Sequence, residues 1–145
     1  MTAYTCDNFT QIPYNGAYGN KAVAFAEMAA IGTLAASDTI DLLKIPAGAR
    51  VLSGRVIIAT AITTATLAIG VRYADGTSTG GTTGTAVMSG TGCALTTALA
   101  PQQLNFQSFR NDVDTIIYAT APNIAAPGAN TKLTVEVDYI AEGSK

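Results

Sequence analysis

Apolar and polar residues alternate with a period of two along several stretches of the chain, the pattern of β-strands that bury one face. The clearest case is residues 133–139, where Leu, Val, Val and Tyr alternate with Thr134, Glu136 and Asp138. This alternation predicts a strand with one face in the core and one in solvent. The same pattern occurs in residues 39–42, 66–73 and 103–107.

Three further segments are largely apolar and lack this alternation of apolar and polar residues. Residues 51–61 and 113–119 are apolar on both faces, which predicts central strands or strands with one face against another subunit. Residues 22–36 are rich in Ala, which favours a helix. However, Val23 and Phe25 alternate with smaller residues, so this segment is predicted to form a strand or a pair of short strands.

Turn residues separate these runs. The turns are predicted at Pro46-Ala47-Gly48, Asp75-Gly76, Asn111-Asp112 and Pro127-Gly128. With residues 22–36 included, about seven to eight strands follow one another, roughly 8–15 residues apart. This spacing predicts an all-β protein, an antiparallel β-sandwich with one domain over residues 21–145. The order of the strands within the two sheets stays open.

Two irregular segments stand outside the sandwich pattern. Residues 1–20 are predicted to form an extended N-terminal arm, whose aromatic side chains need a surface to pack on, either their own sandwich or a neighbour. Residues 76–92 are rich in Gly, Thr and Ser, and a loop of that length is usually functional or flexible. The aromatic residues of the arm are Tyr4, Phe9, Tyr14 and Tyr18, and the apolar residues of the loop include Val87 and Met88.

The composition excludes several classes of function. The 145 residues include no His and only 12% charged residues, so His-based nucleophilic catalysis and imidazole metal sites are absent. No residue set predicts a catalytic, cofactor-binding or metal site; Asp112 and Asp114 are interpreted as a turn and a strand residue. The net charge of −2 disfavours nucleic-acid binding, and no apolar run is long enough to predict a membrane span.

The two cysteines and three of the arginines are further candidates for chemistry or for contact with a partner. Cys6 and Cys93 lie far apart in the sequence and are interpreted as small, partly buried thiols. A disulfide between them is possible in principle, but the reducing compartment expected without a secretory signal argues against it. Arg50, Arg55 and Arg72 fall on predicted strands of a charge-poor chain, where they either contact a partner or solubilise an outer sheet face.

Residues 37–56, SDTIDLLKIPAGARVLSGRV, form a strand, a Pro-Ala-Gly turn and a second strand, and another strand follows at Leu67–Val71. This pattern resembles the jelly-roll cement or decoration proteins that coat the heads of tailed bacteriophages. The resemblance covers residues 37–75, with weaker support from residues 131–141, and does not include residues 76–92. It implies a non-enzymatic protein that is multimeric on the shell and clamps neighbouring major capsid proteins.

The leading hypothesis is therefore a virion decoration protein that is made in the host cytoplasm and binds the capsid surface as a dimer or trimer. The alternative is a tail, fibre or surface module that binds a carbohydrate or receptor, which exposed tyrosines at loop tips would favour. An enzyme is disfavoured because proton-transfer groups are so sparse. The predicted partner contacts are Tyr4, Phe9, Tyr14, Tyr18, Arg50, Arg55, Arg72, Val87 and Met88.

Overall fold

Ten β-strands and no helix make up the part of the chain that the computed structural model describes. That part comprises residues 2–9, 20–35, 38–62, 66–75, 88, 93–120 and 131–142. The strands are β1 (Ala3–Thr5), β2 (Lys21–Met28), β3 (Thr39–Ile45), β4 (Ala49–Ile58), β5 (Thr66–Tyr73), β6 (Cys93–Ala94), β7 (Gln102–Gln103), β8 (Phe109–Arg110), β9 (Thr115–Thr120) and β10 (Leu133–Ala141).

The strands form two sheets whose order is that of a jelly roll. The first sheet has the order β1-β3-β9-β5-β6, and the second has the order β2-β10-β4-β7, with β8 also pairing with β4. Strands β2 to β7, β9 and β10 are the eight strands of the double Greek key, and β1 and β8 are additions to it. All described pairings are antiparallel except β1 with β3, which is parallel. The predicted jelly-roll-like β-sandwich is confirmed.

The strands that are apolar on both faces lie inside their sheets, as predicted. β4 pairs with β10 on one side and with β7 and β8 on the other, and β9 lies between β3 and β5. The inward side chains of β10, from Leu133 to Tyr139, are 1% exposed or less. A bulge at Leu52 shifts the register of β4 against β10, so Val51 and Val56 both point into the core.

The Ala-rich segment contains a strand, β2, and its larger apolar residues point outward. Ala24 and Ala26 are buried, whereas Val23 and Phe25 are 55% and 50% exposed. The small inward side chains leave room for the larger side chains that the opposite sheet contributes to the same core. Period-two alternation therefore identified the strand, but hydrophobicity alone would have placed the wrong face in the core.

The turn between β3 and β4 is held by polar contacts from the segment before β9. Gly48 has a φ of 78°, a left-handed conformation suited to glycine. Its N–H donates to the carbonyl oxygen of Asn111 at 2.7 Å. The Asp114 carboxylate accepts from the Ala47 N–H at 3.1 Å and pairs with Lys44 at 2.9 Å. Asp114 thus has a structural role, although it lies directly before β9 and not within the strand as the sequence had suggested.

Residues 2–9 of the predicted arm lie against the chain's own sandwich, with β1 extended and residues 7–9 in a turn. The backbone N–H of Thr2 donates to Asp38 Oδ1 at 2.7 Å, which fixes the start of β1 beside β3. Further along, the side-chain amide of Asn8 bonds to the edge of β2: it donates to the Phe25 carbonyl at 2.6 Å and accepts from the Glu27 N–H at 2.9 Å. Of the two alternatives left open by the sequence, this part of the arm follows the first.

The two cysteines are free, which agrees with the interpretation as thiols, and they are buried rather than partly buried. Cys6 directly follows β1 and its N–H donates to the carbonyl of Asp41 in β3, whereas Cys93 belongs to β6 at the opposite edge of the first sheet. Four strand spacings of about 4.8 Å separate the two edges, about 19 Å in total. A disulfide needs Cα atoms within about 7 Å, so these thiols cannot pair in this fold.

Candidate functional site

Of the apolar and aromatic residues predicted to contact a partner, the structure describes Tyr4, Phe9 and Met88, and none of the three is largely exposed. Tyr4 is partly buried and packs against the core, and Phe9 is half-buried in the turn after β1. Met88 is fully buried, and its N–H donates to the carbonyl of Ile69 at 2.9 Å. The prediction that Met88 contacts a partner is therefore wrong, because its side chain fills the chain's own core. Tyr14, Tyr18 and Val87 lie outside the described residues.

The three arginines singled out in the sequence lie on strands, as predicted, and each is paired with a carboxylate. Arg50 on β4 donates from Nε to Glu142 Oε1 at 2.5 Å, and Arg55 pairs with Glu136 of the neighbouring β10. The remaining arginine is on β5 of the first sheet. The Asp41 carboxylate accepts from Arg72 at 2.6 and 2.7 Å, and the guanidinium lies 5.3 Å from the ring centre of Tyr118.

Every Lys and Arg in the described part of the chain has a carboxylate partner within 4 Å. The pairs are Lys21–Asp138, Lys44–Asp114, Arg50–Glu142, Arg55–Glu136, Arg72–Asp41, Arg110–Glu142 and Lys132–Glu27. These exposed pairs contribute little to stability individually. Their combined effect is a surface whose charges are neutralised locally, with no cluster of unpaired cations among these residues that could follow a nucleic-acid backbone.

Three of the carboxyl groups in these pairs have a lowered pKa. Hydrogen bonding from Arg50 lowers the pKa of Glu142, and hydrogen bonding from Lys44 lowers the pKa of Asp114. Burial opposes ionisation of Asp138, but hydrogen bonds from Ser53 and Lys21 outweigh it and lower the pKa of that carboxyl. A general acid at neutral pH needs a raised pKa, so these carboxyls are poorly suited to proton donation.

A shallow concavity of about 280 Å³ lies on the outer face of the second sheet. Its floor is crossed by two ion pairs, Lys21–Asp138 and Arg55–Glu136, and the Ser53 hydroxyl donates to Asp138 at 2.6 Å. Its described lining contains no aromatic side chain on which a sugar ring could stack. The lining residues are Lys21, Val23, Ser53, Gly54, Arg55, Gln103, Glu136 and Asp138.

The described residues contain no group of three or more His, Cys, Asp or Glu side chains placed to hold a metal ion. No helix among them is long and apolar enough to cross a membrane. The surface features that remain are exposed apolar side chains, and the largest exposed fractions belong to Leu99, Val23 and Phe25, at 71%, 55% and 50%.

The same fold occurs in solved structures of other proteins. No protein-family model matches the chain, and no curated protein sequence is similar to it. A chain in the capsid of Ralstonia phage GP4 superposes with a TM-score of 0.72 at 16% identity, covering 99% of this chain and 100% of that one. A chain in the capsid asymmetric unit of cyanophage Pam1 has a TM-score of 0.58 at 24% identity over 88% and 89% of the two chains. A chain in the acid-stable capsid of Helicobacter pylori bacteriophage KHP30 has a TM-score of 0.55 at 17% identity over 88% and 92%. At these identities the likeness shows a shared fold.

Proposed function

We propose that this chain is a structural virion protein that binds the outside of a phage head and cements neighbouring major capsid proteins. The observation that carries the proposal is the extent of the fold match: the jelly roll coincides almost end to end with a chain in the capsid of Ralstonia phage GP4. Chains in the capsids of cyanophage Pam1 and Helicobacter pylori bacteriophage KHP30 share the fold as well. The sequence resemblance of residues 37–75 to cement proteins supports the same function independently.

The core supports an accessory role in which the chain folds before it binds. Both sheets bury their inner faces against each other, and the core includes residues from every long strand. A sandwich of this kind needs no partner to complete its hydrophobic core. Such a protein can be added to a shell that has already assembled, and its binding energy then favours the shell state that carries its site.

The surface charges support adhesion rather than catalysis. The described cations are all paired within the chain, and the pKa values of the paired carboxyls Asp114, Asp138 and Glu142 are lowered, which suits ion pairing. Contacts with a shell protein would then depend mainly on apolar and neutral polar groups, the composition of interface cores. Self-association as a dimer or trimer would let several such contacts act together on neighbouring capsid subunits.

Co-sedimentation tests the proposal. Heads and tails are purified separately from the phage that encodes this chain, using a mutant that lacks its gene, and each is mixed with purified protein. We expect the chain to sediment with heads, to saturate at a fixed ratio to the major capsid protein, and to remain in solution with tails. Binding to tails, or to a glycan array with no binding to heads, would favour the alternative of a receptor-binding or carbohydrate-binding module.

A further inference from the structure

One edge of the sandwich carries no charge. The sequence has no charged residue between Asp75 and Arg110. The structure describes Met88 and residues 93–109 of this stretch. Residues 93–103 form β6 at the edge of the first sheet, a turn, and β7 at the edge of the second sheet, and the chain then continues to the start of β8 at Phe109. We call residues 93–109 the neutral edge. By contrast, the outer face formed by β2, β10 and β4 carries ion pairs along its length.

The most exposed large apolar side chain in the described residues belongs to this neutral edge. Leu99 is 71% exposed and has a φ of 57°, a left-handed conformation. Its N–H donates to the carbonyl of Ile58 at 2.7 Å, so the turn is fixed to the end of β4. Both the exposure and the conformation are unfavourable for leucine in the free protein, whereas Gly or Asn would adopt this φ with less strain.

Residues with strained backbone conformations are concentrated at functional sites. Leu99 is an apolar side chain that protrudes from a fixed turn. Its burial against a partner would be favourable because it removes apolar surface from water. The residues around it, from Thr96 to Pro101, are uncharged and mostly exposed, so burying them would separate no ion pair. These properties match the core of a protein–protein interface, where charged groups are depleted.

A partner surface that buries Leu99 must be an uncharged, apolar depression. The concavity on this chain's own second sheet is crossed by the Lys21–Asp138 and Arg55–Glu136 pairs, so a leucine from a second copy would desolvate charges there. We propose that the neutral edge is the surface that docks on the capsid shell, and that Leu99 enters an apolar depression of the shell. This inference rests on the proposed function.

The test uses variants whose stability and binding are expected to move independently. Leu99→Asn removes the apolar side chain and tolerates the left-handed conformation, so we expect the melting temperature to be unchanged or higher. Burial of a leucine corresponds to about a tenfold or larger change in affinity, so binding to heads should weaken by at least about tenfold. Leu99→Gly repeats the test with a residue that adopts this φ without a side chain.

Two controls accompany these variants. Leu99→Met keeps an apolar side chain of similar volume and should bind heads as the unmodified protein does. Val23→Thr removes an exposed apolar group from β2, outside the neutral edge, and should also leave head binding unchanged.

The outcomes separate the two proposals. If the unmodified protein does not bind heads, the proposed function fails. If it binds and folded Leu99→Asn and Leu99→Gly bind equally well, only the docking inference is overturned. A change from oligomer to monomer in Leu99→Asn, without loss of head binding, would also overturn it, because the neutral edge would then join copies of this chain. Selective loss of head binding in both variants supports it.

Discussion

Gly54 lies in the middle of β4, opposite Val137 of β10, at a place where the structure leaves no room for a side chain. A Cβ built on Gly54 would lie 2.7 Å from Leu104 Cδ1 and 3.0 Å from the carbonyl oxygen of Glu136, where ordinary contacts are 3.4–4 Å. Leu104 cannot simply move away with its backbone, because its N–H donates to the Gly54 carbonyl at 2.9 Å. We therefore expect Gly54→Ala to destabilise the fold.

The size of the effect follows from the cost of overpacking, about 1–3 kcal/mol for one added methyl group in a close-packed core. For a domain of this size, each kcal/mol lowers the melting temperature by about 2–4 °C. Thermal unfolding followed by circular dichroism should thus show a melting temperature about 2–12 °C lower for Gly54→Ala. Urea unfolding should show a lower midpoint concentration. The matched control is Gly32→Ala, because a Cβ on Gly32 has no heavy atom within 4 Å.

A double-mutant cycle identifies which contact causes the destabilisation. Leu104→Val removes the δ-carbon that lies nearest the added methyl, so Gly54→Ala should cost less in that background, with a coupling energy of about 1 kcal/mol. The remaining cost would report the Glu136 carbonyl, which is fixed in the sheet. Equal stability of Gly54→Ala and Gly32→Ala would refute the packing argument.

Three further predictions concern solution conditions. The folded-state pKa values of Asp114, Asp138 and Glu142 are lowered, so their stabilisation is complete above the unfolded-state values of about 4 and is lost as the pH falls through the folded-state values. Melting temperatures should therefore be nearly constant between about pH 5 and pH 8 and should fall below about pH 4, and a constant value down to about pH 2 would contradict this. Burial raises the pKa of Cys6 to about 12 and also raises that of Cys93, so a thiol reagent should react only after denaturation, and dithiothreitol should not change the melting temperature. Since the described Lys and Arg side chains are all paired within the chain, head binding should change little between about 0.05 and 0.5 M salt, and a steep decrease would point to ion pairs with the shell.

The long strands were predictable because each contains enough alternating residues to show its period. Residues 133–139 and 66–73 fall within β10 and β5, and the Pro46–Gly48 turn separates β3 from β4 as predicted. The four strands β1, β6, β7 and β8 have two or three residues each, too few for a period, and depend on pairing with a long neighbour. The alternation predicted at residues 103–107 gave only part of a strand, since β7 ends at Gln103.

The candidate site was less predictable than the fold because exposure depends on tertiary structure. The sequence placed Arg50 and Arg55 on a strand, but the carboxylates that neutralise them come from β10 and the residues after it, more than eighty positions away. Met88 lies in a Gly-rich segment, yet it is buried beside Ile69. Leu99 shows no sequence signal, because only its conformation and exposure distinguish it from a core leucine.

The most direct test of the central claim is a comparison of two head reconstructions by electron cryomicroscopy, one from the phage that encodes this chain and one from a mutant lacking it. The proposed function predicts that the difference map shows jelly-roll density on the outer surface of the shell, bridging neighbouring major capsid proteins. The docking inference adds that the neutral edge faces the shell. Identical shells in the two maps, with the missing density found on the tail or fibres, would contradict the claim.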